Sequence, residues 1–264
     1  MNSKELFQIL WKQYSTENPS VKAIHRLFEK EEEQIVNDHV AFRTFNHSLL
    51  NIDRLAVPFI NAGYREAGQY FFPDKKLRAR HFELDGQARV FISELLTEEF
   101  SDEFQKIIHE IIQGIDWTGL DQGLLPVSGQ IFGTPEYSIY EKLRSESEYA
   151  AWVYAFGYRA NHFTVSINHL KKYGSVELVN EFLKSNGYSL NSSGGEIKGS
   201  PGIFLEQSST LADRIPVDFS EGTFQIPSCY YEFARRYPDQ DGKLFGGFVA
   251  GSADKIFEST DFRR

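Results

Sequence analysis

Two histidines and two glutamates carry the residue types from which this chain could build a reactive centre. His39 opens the stretch Asn37-Asp38-His39-Val40-Ala41-Phe42-Arg43-Thr44-Phe45, and His162 opens Asn161-His162-Phe163-Thr164-Val165-Ser166-Ile167-Asn168. Glu94 lies near the end of the apolar run 88–96, and Glu232 lies within 228–236. Cys229 is the single cysteine, so a Cys-based zinc site and an intrachain disulfide are both excluded. Any metal must be held by His, Asp and Glu. Two imidazoles and one carboxylate on one side of a metal, with open positions opposite, form the donor set of non-haem Fe(II) oxygenases. Fe(II), Mn(II) and Zn(II) all accept these donors, so the donors alone do not choose the metal, and either glutamate could complete the set. Strand alternation places His39, Ala41, Arg43 and Phe45 on one face. At roughly 3.3 Å per residue, Arg43 is a fixed cation about 13 Å along the strand from His39.

A lone histidine at the start of a strand is commonly a satisfied turn or core residue. What gives these two weight is the repeated pattern around them. Residues 3 to about 34 read as helical, with Leu6, Ile9, Leu10 and Tyr14 at helical spacing and an acidic run at 29–34 as a solvated end. A strand at 39–45, a helix at 51–60 stopped by Gly63, and strands at 63–72, 78–84 and 88–96 follow. Helices at 100–113 and 137–156 flank a Gly/Pro-punctuated stretch at 114–135. The first pattern then returns: a strand at 161–168, a helix at 176–185 stopped by Gly187, and strands from 188, at 202–207 and at 228–236. Asp38-His39 matches Asn161-His162, Ala62-Gly63-Tyr64 matches Asn186-Gly187-Tyr188, and Phe91–Leu95 matches Tyr230–Phe233, which pairs Glu94 with Glu232.

The expected fold is α+β. Two βαβββ-type units form a cupped mixed sheet around a metal cleft, with N-terminal helices and a helical insertion between the units. A single domain is expected over 1–264: a helical segment 1–36, the first unit 37–96, the insertion 97–160, the second unit 161–236, and a C-terminal tail 237–264 that closes the pocket. The remaining histidines, His25, His47, His81, His109 and His169, have no counterpart in the repeat and read as surface or structural.

Composition narrows the function classes. With 41% hydrophobic and 25% charged residues the chain is an ordinary globular sequence, and its net charge of −9 disfavours nucleic acid, whose phosphates demand concentrated Lys and Arg. A small anion needs only one or two well-placed arginines. No apolar run reaches the roughly 18 residues of a membrane span, and the N-terminal residues do not open a signal peptide, so the expected location is cytoplasmic. A homo-oligomer is compatible with all of this.

The Asp38–Thr44 stretch, Asn161-His162, Tyr231-Glu232-Phe233, and the closing Gly247–Ser252 with Phe257–Thr260 resemble the 2-oxoadipate dioxygenase/decarboxylase family. The two-unit layout resembles the vicinal-oxygen-chelate superfamily of metalloenzymes. The first resemblance runs from about His39 to Thr260. It implies an Fe(II) centre on His39, His162 and Glu232, with another divalent metal as the alternative. It also implies that Arg43 binds a substrate carboxylate and that Val249 and Ser252 line the pocket; the repeat leaves Glu94 as either an orienting acceptor or the alternative ligand, and the resemblance favours Glu232. The implied reaction takes a 2-oxo diacid, 2-oxoadipate, and O2 to 2-hydroxyglutarate and carbon dioxide. Competing readings on the same scaffold are a lyase, isomerase or hydrolase using Zn(II) or Ni(II), and a binding protein without catalysis.

Overall fold

The computed structural model describes residues 2–260; Met1 and residues 261–264 of the expected tail lie outside the described residues. Ten strands and eight α-helices are described: α1 (Ser3–Glu17), α2 (Pro19–Lys30), β1 (Asn37–Phe45), α3 (Ile52–Asn61), β2 (Arg65–Phe72), β3 (Leu77–Glu83), β4 (Arg89–Leu95), α4 (Asp102–Gln113), α5 (Tyr137–Glu146), α6 (Glu148–Phe156), β5 (His162–Ser166), α7 (Val176–Ser185), β6 (Lys198–Ser200), β7 (Leu205–Ser209), β8 (Arg214–Phe219), β9 (Gly222–Pro227), β10 (Glu232–Arg236) and α8 (Ala250–Phe257).

Eight strands form one mixed sheet in the order β2-β3-β4-β1-β5-β10-β7-β6. The order is palindromic by unit: β1 and β5 meet antiparallel at the centre, and each pairs in parallel with the last strand of its own unit, β4 or β10. At the seam His39 pairs with Thr164, Val40 with Phe163 and Ala41 with His162. The Val40–Phe163 pair therefore lies on the pseudo-twofold axis, and His39 and His162 are related by it.

Period-two alternation gives the sheet two different faces. Phe42 packs on Phe59 of α3, Phe163 on Trp11 and Tyr14 of α1, and Phe233 on Phe28 of α2. This face is an aromatic core under the helices. The opposite face carries His39, Arg43, His162 and Glu232, all buried. The N-terminal helices are separated cleanly because Asn2 and Glu5 form a capping box on α1 and Pro19 begins α2 with no N–H to leave unpaired.

Several segments differ from the sequence expectation. The strand expected from 188 is reduced to an isolated bridge of Leu190 to Thr210, and the helix expected at 137–156 breaks at Ser147 into α5 and α6. Residues 214–227 form a separate two-stranded hairpin, β8–β9, inserted between β7 and β10. The run 228–236 is a strand only from Glu232 onward. Its first residues spend their backbone groups elsewhere: the Ser228 carbonyl accepts from Trp152 Nε1, and Cys229 N–H donates to Asn18 Oδ1. Among the described residues no helix is long and apolar enough to cross a membrane.

Candidate metal centre

The site is assembled by strand register. His39 on β1, Thr164 on β5 and Glu232 on β10 form one row across three adjacent strands, and His162 lies two residues before Thr164 on the same face. His39, His162 and Glu232 each offer one ligand atom within 4.8 Å of the others. His162 Nε2 is 3.2 Å from Glu232 Oε2 and His39 Nε2 is 3.6 Å from Glu232 Oε1. All three residues are at most 4% exposed.

The ring orientations are fixed by the preceding residue in each unit. Asp38 Oδ1 accepts from His39 Nδ1 at 2.8 Å, and Asn161 Oδ1 accepts from His162 Nδ1 at 3.1 Å. Protonating Nδ1 leaves both Nε2 lone pairs facing into the site, 3.4 Å apart, where Thr164 Oγ1 lies 3.0 Å from His39 Nε2; this is the tautomer that a metal ligand needs. Asp38 is in turn gripped by Arg236, whose Nε and Nη2 donate to its two oxygens at 2.6 and 2.9 Å. Burial opposes ionisation of Asp38, but the Arg236 guanidinium and the His39 hydrogen bond outweigh it and hold the carboxyl well below the usual range. Arg236 Nη1 also donates to the carbonyls of Phe245 and Gly247 at 2.9 and 2.7 Å. That lays Phe248 edge-on to His39, with ring centroids 4.8 Å apart.

Glu232 is fully buried, and Gln207 Nε2 donates to its Oε1 at 2.5 Å. Its Oε2 has no hydrogen-bond donor. Burial raises the pKa of Glu232, and burial, then His39 and then Arg43, lower that of His162 well below the ordinary value. A carboxylate with one orphaned oxygen facing two imidazole Nε2 atoms is a set of donors without a cation. A divalent ion at their centre would satisfy all three, so the residues present fit a metal. A small cavity of about 20 Å³ adjoins them, lined also by Phe91, Tyr230, Phe248 and Ile256.

Arg43 is 3% exposed, donates from Nη2 to Thr260 Oγ1 at 3.1 Å, and lies over the rings of Tyr149 and Trp152. It lines not the small cavity but a wider one of about 290 Å³, with Lys75, Lys76, Tyr149 and Thr260.

Three expectations need correction. Glu94 is on the other face: β1 and β4 pair Thr44 with Glu94, so its side chain points away from His39. There it accepts from the Ile52 N–H at the start of α3 and pairs with Arg78, serving as a helix cap rather than a ligand or an orienting acceptor. The true counterpart of Glu232 is Phe91, because Ala41 pairs with Phe91 as Thr164 pairs with Glu232. Val249 and Ser252 do not line the metal cavity. From this part of the tail Phe248, Ala253 and Ile256 do, while Ser252 Oγ packs against Gly199 of β6. Gln207, Tyr230 and Arg236 carry no signal as site residues in the sequence, and Asp38 and Asn161 carry one only through the matching Asp-His and Asn-His dipeptides.

A model of the 2-oxoadipate dioxygenase/decarboxylase family matches residues 5–117 and 130–243. The Arabidopsis thaliana protein named 2-oxoadipate dioxygenase/decarboxylase, chloroplastic, is 38% identical over 94% of this chain and 74% of its own length. A Shewanella frigidimarina structure bearing the name of a hydrolase is 51% identical, covers 94% of this chain and 97% of its own, and superposes with a TM-score of 0.87. Hydroxyglutarate synthase from Oryza sativa, solved with 2-oxoadipate, is 37% identical, covers 98% and 91%, and superposes with a TM-score of 0.90. The chain thus belongs to the 2-oxoadipate dioxygenase/decarboxylase family.

Proposed function

We propose that this chain converts 2-oxoadipate and O2 to 2-hydroxyglutarate and carbon dioxide at an Fe(II) centre held by His39, His162 and Glu232. The reading rests on the buried two-imidazole, one-carboxylate cluster with its orphaned Glu232 oxygen, in a chain of this family. The rice relative, solved with 2-oxoadipate, supports the choice of substrate. When bound, divalent iron supplies open coordination positions and the electrons for dioxygen activation.

The protein's own residues do the rest. Asp38 and Asn161 keep both histidines in the ligating tautomer, and Gln207 fixes the Glu232 carboxylate. Phe91, Phe248 and Ile256 keep water away from the reacting end. Arg43, on the same strand face as His39, holds the far carboxylate of the diacid by a two-pronged contact. Thr260 and the rings of Tyr149 and Trp152 fix the guanidinium for that contact.

The test is an oxygen-electrode assay of Fe(II)-loaded protein on a panel of 2-oxo acids, with carbon dioxide measured in parallel. Equimolar oxygen uptake and carbon dioxide release with 2-oxoadipate is expected. Stoichiometric metal binding with no oxygen uptake on any 2-oxo diacid would refute it and favour a non-oxidative metalloenzyme.

A further inference from the structure

Three residues lining the small cavity each keep a buried polar atom without a hydrogen bond: Glu232 Oε2, Gln207 Oε1 and the Tyr230 hydroxyl. A bound metal accounts for the first. Gln207 Oε1 is an acceptor, since its amide nitrogen is committed to Glu232, and an acceptor is the wrong partner for an anionic substrate. The Tyr230 hydroxyl remains. It is fully buried, and a phenol is a donor at neutral pH.

The ring cannot turn away to find a partner. Its backbone carbonyl accepts from the Tyr14 hydroxyl, and the ring lies nearly parallel to the His162 imidazole with centroids 4.7 Å apart. The residue lines the small cavity together with His39, His162 and Glu232, which sets it at the metal end of the site. A rigid, buried donor left unsatisfied costs stability, and such groups are rare unless a ligand or a water completes them.

We propose that Tyr230 is a substrate-contacting residue whose hydroxyl donates a hydrogen bond to an oxygen of the bound 2-oxo acid at the metal end of the site. The inference rests on the reaction proposed above. It explains why a tyrosine, and not a phenylalanine, closes this wall beside His162.

The experiment compares wild type with Tyr230→Phe in two measurements. Fe(II)-loaded protein is titrated anaerobically with 2-oxoadipate by calorimetry, and metal-free protein is melted. Tyr230→Phe should bind 2-oxoadipate about tenfold more weakly or worse, the range of a hydrogen bond to a charged group. It should bind Fe(II) within twofold of wild type and melt, metal-free, at or above the wild-type temperature, because the removed hydroxyl has no partner in the free protein. Equal 2-oxoadipate affinity in the two proteins would overturn the role of Tyr230 while leaving the reaction intact. A metal-free variant that melts well below wild type would also overturn it, by revealing a structural partner. Failure of wild type itself to bind 2-oxoadipate would remove the reaction and this role together.

Discussion

Arg236 and Asp38 should behave as one energetic unit, and the structure fixes the size of the effect. Both side chains are 3% exposed and joined by two hydrogen bonds. Arg236→Met removes the cation but leaves the carboxylate buried, with Arg89 no nearer than 3.8 Å. Breaking a buried pair from one side costs about 3–5 kcal/mol, most of it the uncompensated charge left behind. Asp38→Asn keeps Oδ1 as the acceptor for His39 Nδ1 and Arg236 Nη2, but it removes the acceptor of Arg236 Nε and leaves the buried guanidinium without a counter-charge. The double variant buries neither charge, so it should recover about 2 kcal/mol of the summed single losses. Urea unfolding of the metal-free proteins gives the cycle directly. Arg236→Met should also weaken divalent-metal affinity about 10- to 100-fold, because Asp38 no longer fixes the His39 ring. Additivity of the single variants within about 0.5 kcal/mol would refute the coupling. Metal affinity unchanged in Arg236→Met would show that the pair holds the tail and does nothing for the ligand.

Other residues give independent tests. Arg43→Ala should raise KM for 2-oxo diacids about 10- to 100-fold, the scale of a lost charge-assisted contact, and should change it far less for monocarboxylic 2-oxo acids; equal effects would remove Arg43 from the far carboxylate. His81 is buried, and burial, opposed by Glu83, pulls its pKa from 6.5 to about 4. The unfolded chain therefore binds its proton first, so the contribution of neutral His81 is intact above pH 6.5, shrinks as pH falls towards 4 and is flat below. Wild type should lose about 1–2 kcal/mol more than His81→Gln between pH 7 and pH 5, and parallel pH profiles in urea unfolding would contradict this. Gly157 has φ +67° at the end of α6, and a Cβ there would meet the Gly129 carbonyl, to which the neighbouring Tyr158 N–H is bonded. Gly157→Ala should cost more than ~2 kcal/mol in thermal or urea unfolding; a loss below 0.5 kcal/mol would show that the turn has room to relax.

Much of the frame was legible because period-two alternation and Gly stops are local signals. The duplicated strand-helix-strand order, the two histidines and the covering helices follow from them. Register is not local. Matching Glu94 to Glu232 is natural on a one-dimensional string, since each is an acid near the end of an apolar run. The sheet instead sets Phe91 opposite Ala41 and Glu232 opposite Thr164, three residues away from that match. An odd shift moves a side chain to the other face, so Glu94 is lost to the site altogether. The hairpin 214–227 was hidden for another reason: Pro216 argues against a strand in any sheet interior, and both strands of this ribbon are edges. The tail contacts of Arg236 join residues about ten apart through backbone carbonyls, which leave no trace in sequence.

The departure from twofold symmetry is itself informative about the chemistry. The axis relates His39 to His162, and so one ligand comes from each unit. It also relates Ala41 to Thr164 and Phe91 to Glu232, and there the units diverge. A carboxylate at both last-strand positions would cancel the charge of a divalent ion and take up a further coordination position. With Phe91 in place of the second acid, two imidazoles and one carboxylate leave a net charge of about +1 on a bound divalent ion, which favours an anionic 2-oxo acid. Phe91 also adds no ligand atom to the cavity wall, where a second carboxylate would compete with a bound substrate. Phe91→Glu therefore tests the asymmetry: it should tighten divalent-metal retention while abolishing 2-oxoadipate binding. A variant that keeps both metal and 2-oxoadipate at wild-type affinity would show that the charge balance at this position is not what selects the substrate.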